Sequence, residues 1–84
     1  MDRNIAGDAS VMLPDGHELR GSAWVYVPTG RQAFGVFTVC WGNPRLAVNL
    51  GGPITLTFKS GKQARIVGKE ANIIQLHFTV DGEV

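Results

Sequence analysis

Two tripeptides, Pro14-Asp15-Gly16 and Lys59-Ser60-Gly61, each sit between apolar residues that alternate on both sides, and that layout constrains the fold more than any other feature. A three-residue loop, with a type I turn closed by glycine in the left-handed region, pairs Leu13 with His17, Val11 with Leu19, Phe58 with Lys62, Leu56 with Ala64 and Ile54 with Ile66. Apolar then meets apolar. A two-residue loop would set Leu13 against Glu18 and Leu56 against Arg65, and a slip of one residue exchanges the two faces of a strand. Pro28-Thr29-Gly30 is read in the same way and places Trp24 across from Phe34. Glu70-Ala71-Asn72 follows, with Asn72 in the left-handed position, Ile66 opposite Leu76 and Arg65 beside His77.

These turns predict an all-β chain, a small antiparallel barrel or sandwich built from consecutive hairpins. Six or seven strands are expected, near 9–13, 18–27, 32–41, 45–50, 53–58, 62–69 and 73–80, and no helical period appears. The inward set is Val11, Leu13, Leu19, Ala23, Val25, Val27, Phe37, Val39, Trp41, Leu46, Val48, Leu50, Ile54, Leu56, Phe58, Ile66, Ile74, Leu76, Phe78 and Val80. With 84 residues the chain holds one domain, read as an N-terminal arm over 1–8, a barrel over 9–80 and an acidic tail over 81–84. An internal echo links Val11-x-Leu13-x-Asp15-Gly16-x-x-Leu19 to Leu56-x-Phe58-x-Ser60-Gly61-x-x-Ala64, and Phe37-Thr38-Val39 to Phe78-Thr79-Val80. The gaps from turn to Phe-Thr-Val differ by four residues, so the echo is read as shared hairpin grammar and not as duplication.

Composition narrows the function classes. Hydrophobic residues make up 44% and charged residues 18%, which is too apolar for a disordered chain, and no unbroken apolar run reaches the roughly 18 residues of a membrane span. The polar, acidic start lacks the pattern of a signal peptide, and Cys40 is the only cysteine, so a cytoplasmic protein without an intrachain disulfide is expected. Residues 19–69 carry seven of the eight basic side chains and none of the seven acidic ones. Where such an asymmetry survives folding as a patch it attracts anions, and acidic flanks packed beside basic strands would dissolve it.

The outward faces differ between the halves. In the first half they present Met12, Trp24, Tyr26, Phe34 and Val36, a candidate partner-binding surface, since tryptophan and tyrosine bring contact area at little cost in rotamer entropy. The competing reading is that loop 42–53 or the N-terminal arm covers these aromatics. In the second half, Lys59, Lys62, Arg65, Lys69 and His77 form a candidate anion site for nucleic acid or nucleotide, against the alternative that strand cations only block edge-to-edge aggregation.

Catalysis finds no constellation. No carboxylate stands at a spacing expected to orient His17 or His77, and HxH, HExxH and CxxC are all missing, so neither a metal nor a cofactor is expected. Cys40 lies in an apolar strand without local basic residues and reads as an inert packing thiol. Gly51-Gly52-Pro53 is too short to cradle a phosphate and leads into a strand.

The stretch Val-Met-Leu-Pro-Asp-Gly-His-Glu-Leu-Arg-Gly from Val11 to Gly21, then Ile54-Thr55-Leu56-Thr57-Phe58 with its hairpin and a closing Leu76-His77-Phe78, resembles the strand spacing of PilZ-type barrels. Members of that family that bind cyclic di-GMP carry RxxxR ahead of the barrel and a DxSxxG strand motif. Here Arg3 stands alone and Gly21 leads into Ser22-Ala23-Trp24, so the resemblance implies a barrel and carries over no ligand residue. The expected function is a non-catalytic interaction module, an adaptor, inhibitor or subunit such as a phage or mobile element encodes, docking a protein or a second copy of itself through the aromatic face. The alternative is a barrel binding an anionic ligand through the basic hairpin 59–69.

Overall fold

The computed structural model describes residues 2–40 and 51–82. Six strands, β1 (Arg3–Met12), β2 (Glu18–Val27), β3 (Phe34–Val39), β4 (Pro53–Phe58), β5 (Gln63–Ala71) and β6 (Gln75–Val80), close an antiparallel barrel in the order β1-β2-β3-β6-β5-β4. Two three-stranded meanders thus join along two seams, β1 with β4 and β3 with β6. Among the described residues there is no helix. The expected strand at 45–50, with Trp41, Leu46, Val48 and Leu50, falls outside the described residues.

Alternation fills the barrel. Val11, Val25, Phe37, Leu56, Ile66 and Leu76 are fully buried, and Ile54, Phe58, Phe78 and Val80 pack with them. Leu19 and Val27 lie half-buried against this core. The first and third turns are three-residue loops: the Leu13 amide donates to His17 O and the Phe58 amide to Lys62 O, each at 2.8 Å. Gly16 and Gly61 carry φ of 90° and 95°, a region that any Cβ makes costly.

Several expectations are corrected. Residues 3–8, read as an arm, are the first half of β1 and pair with β2 from Arg3 opposite Val27 to Asp8 opposite Ser22. The β2–β3 connection is longer than three residues, and Tyr26, not Trp24, stands opposite Phe34. Its cause lies across the barrel: Ala33 is buried and its carbonyl accepts from the Val80 amide at 2.8 Å, while the Gln32 side chain donates to Val80 O at 3.0 Å. These residues are therefore held to β6 and do not continue the β2 ladder.

The fourth turn moves to Ile73-Ile74. Asn72 Oδ1 accepts the amides of Ile74 and Gln75 at 2.9 and 2.8 Å, a side-chain turn, and Asn72 has no left-handed backbone. A bulge between Gly68 and Glu70 shifts the register, so His77 faces Glu70 and not Arg65, and Ile74, expected inside, is 46% exposed.

Candidate functional site

β2 and β3 set the candidate partner-binding face because alternate residues of an antiparallel pair share one side. Ala23, Val25, Gly35 and Phe37 take the interior, which leaves Trp24, Tyr26, Phe34 and Val36 outside. Gly35 permits the close strand approach beneath them: a Cβ there would lie 2.0 Å from the Trp24 carbonyl oxygen and 3.0 Å from the Phe78 ring.

The three rings touch one another. Trp24 and Tyr26 stack with planes 3° apart and centroids 6.2 Å apart, and Phe34 meets both edge-on, at 6.3 Å from Trp24 and 5.4 Å from Tyr26. Even so, Trp24 is 41% and Phe34 43% exposed, while Tyr26 and Val36 are half-buried. Strand β1, which includes the segment expected as a covering arm, passes beside the cluster, with Asn4 opposite Tyr26 and Ala6 opposite Trp24. Met12 is also exposed, but it lies six residues beyond Ala6 along β1, about 20 Å away, opposite Glu18 and Thr55. The structure does not bring it to the cluster.

Tyr26 is held from its outer edge. Its hydroxyl donates to Asp2 Oδ2 at 2.5 Å, and Asp2 Oδ1 accepts the Thr29 amide at 2.8 Å. The Tyr26 hydrogen bond, then those from Thr29, holds the Asp2 carboxyl below its ordinary range, and the Asp2 contact in turn pushes the Tyr26 phenol up. Asp2 therefore fixes the ring and the β2–β3 connection together.

On the other side the face continues across a seam that leaves no local trace in the sequence. Val36 pairs with His77 and Phe34 with Thr79, so Trp24, Val36, His77 and Glu70 form one row over β2, β3, β6 and β5. His77, expected in the anion site, belongs to this row instead of standing beside Arg65. No local pattern could have found it, because the β3–β6 contact joins residues far apart in sequence.

The remaining candidate anion residues are spread. Lys59 and Lys62 flank the β4–β5 turn, with the Lys59 amide donating to Asp8 O at 2.9 Å. Arg65 shares a small cleft with Asp81, and Lys69 sits in the bulge beside Glu70. Asp8, Glu70 and Asp81, all from the acidic flanks, thus stand among the cations, and folding disperses the charge block seen in the sequence. A larger open cleft, about 570 Å³, is bordered by Asp8, Ser10, Glu18, Arg20, Cys40 and Lys59. Cys40 is exposed there beside two basic residues, not packed in an apolar strand. At His17 too the expectation fails: Asp15 Oδ1 lies 3.0 Å from its Nδ1 and accepts its amide at 3.0 Å, closing the first turn.

Among the described residues no helix is long and apolar enough to cross a membrane, and no group of three acidic, histidine or cysteine side chains is placed to hold a metal. Comparison with known families, curated proteins and solved structures gives no match to this chain.

Proposed function

We propose that this chain is a small interaction module of PilZ-like barrel architecture, an adaptor, inhibitor or subunit that docks a protein partner through Trp24, Tyr26, Phe34 and Val36. One observation supports this reading above the others: three mutually contacting aromatic rings lie outside a barrel whose interior is already filled. Aromatics that a fold does not need for its core, kept ordered by one another and by Asp2, match the anchors of binding hot spots.

The chemistry of the face favours a protein over a nucleic acid. Its neighbours in the ladder are Asn4, Ala6, His77 and Thr79, with Glu70 beyond, and none is a lysine or arginine. Phosphate recognition needs several cations beside the stacking rings; Arg31 acts on the Tyr26 phenol at one edge, but Lys59, Lys62 and Arg65 lie on other strands and turns.

Selection of displayed random peptides on the full chain, with Trp24→Ala as the counter-target, tests this reading. Ligands that lose about 2–4 kcal/mol on Trp24→Ala and bind almost independently of salt are expected. Ligands that bind parent and variant alike, or whose affinity falls steeply with salt, would overturn it.

A further inference from the structure

The echo between the two halves of the sequence extends to the strand registers. Val11 opposite Leu19 in the β1–β2 hairpin is answered by Leu56 opposite Ala64 in β4–β5, and the turns share the same closing hydrogen bond, from Leu13 to His17 and from Phe58 to Lys62. Ala23 opposite Phe37 in β2–β3 is answered by Gly68 opposite Phe78 in β5–β6, and Gly21 opposite Val39 by Ile66 opposite Val80. The four-residue difference that argues against duplication in the sequence arises between the paired cores of the units, from a long β2–β3 connection, a short β5–β6 connection and the bulge in β5.

The seams supply an independent test, since a two-fold axis requires that equivalent residues on it pair with each other. They do so at both seams: Val11 pairs with its equivalent Leu56, and Val36 with its equivalent His77. Even the surface clefts correspond. Ser10, Glu18, Arg20 and Cys40 border the larger one, and their counterparts Thr55, Gln63, Arg65 and Asp81 border the smaller.

We infer that the barrel is an internal dimer, in which β1–β3 and β4–β6 are two copies of one three-stranded unit and each unit's seam is an interaction surface that fits a second copy of that unit. The reason is geometric. A three-stranded meander leaves two edges unpaired and one face apolar, and two-fold pairing with a like unit satisfies both edges and both faces at once. The docking face then belongs to one unit: it is the first unit's version of a surface that the second unit presents as Glu70, Asn72, Gln75 and His77. The registers that define the two units hold whether or not that face docks a partner.

Two chimeras of the full chain test it, each keeping residues 41–52 as the connection. One carries residues 53–81 on both sides of it, the other residues 8–40. At least one is expected to fold as a monomeric all-β protein whose amide resonances number about half those of a chain of its length, because a two-fold axis makes the copies equivalent. In the natural chain, proteolytic cleavage at a site inserted between residues 45 and 46 is expected to leave the halves bound, with a melting midpoint that now falls on dilution. Failure of both chimeras to fold, a full unsymmetrical set of resonances, or separation of the cleaved halves at micromolar concentration would overturn the inference.

Discussion

The two meanders of this barrel share a backbone plan and differ in what they show to water. On β2 and β3 the outward positions hold Trp24, Tyr26, Phe34 and Val36; the matching places on β5, β6 and the turn between them hold Glu70, Asn72, Gln75 and His77. Inward, the halves agree: Phe37 and Phe78, Val39 and Val80, Val11 and Leu56 are all buried. Interior positions answer to packing against every other strand, so a change there is felt at once, whereas an outward position answers only to solvent or to a partner. One plan can therefore keep its core while one half becomes aromatic and the other polar.

The largest effects should fall where the halves agree. Phe37→Ala and Phe78→Ala each remove a buried ring and are expected to cost about 3–5 kcal/mol. Chemical denaturation should give similar losses for both, and one loss several-fold smaller than the other would break the equivalence of the units.

Where the halves differ, the responses should part. Trp24→Ala is expected to leave the melting temperature of dilute protein nearly unchanged and to cost about 2–4 kcal/mol of partner affinity, while Glu70→Ala at the matching place changes neither. A Trp24→Ala chain that melts far earlier than the parent would place that ring in the core's energetics and remove the contrast.

The two glycine-closed turns sharpen the comparison further. Gly16→Val and Gly61→Val both force a β-branched residue to φ near 90°, and each is expected to destabilise by about 1–3 kcal/mol. A Cβ at either position would meet no described atom within 4 Å, so the cost is backbone strain and should be alike at both. Melting curves of the two variants that differ widely would show that the turns are not equivalent.

Smaller still is the pH dependence confined to the first half. The carboxyl of Asp2 is lowered in the folded state, so its contribution is present above the unfolded value and is lost as pH falls through the folded one. The Tyr26 phenol is raised, so its contribution is present below the unfolded value and is lost as pH rises through the folded one. Tyrosinate absorbance should titrate earlier in Asp2→Asn than in the parent, and no difference would remove the Asp2 contact from solution. Last, reversing charge at Arg65 and Lys69 together is expected to leave the affinity for a docked peptide unchanged in a binding titration, since both lie on β5, away from the rings.

Legibility followed sequence distance. In Pro14-Asp15-Gly16 and Lys59-Ser60-Gly61 everything that sets the register lies within a few residues: the glycine that takes φ > 0, the amides that bond across the loop, and the alternating Val11, Leu13, Leu56 and Phe58. The same alternation put Trp24, Tyr26, Phe34 and Val36 outside. Pro28-Thr29-Gly30 looks alike but misled, because the residues after it are claimed by Val80, nearly fifty positions on. Asn72 misled for a different reason, since its side chain serves as the turn's acceptor and the bulge after Gly68 absorbs the slip.

Strand type, the two tight hairpins and the side on which the aromatics fall were all written in the order of residues, because each depends on local backbone sterics and on a period of two. Three-dimensional closure settled the rest: that β1 joins β4 and β3 joins β6, that His77 lies beside Val36 and not Arg65, and that acidic flanks disperse the basic block. Those are pairings between segments far apart in the chain, selected by which closure satisfies every edge and buries every apolar face together, and no local pattern encodes that choice.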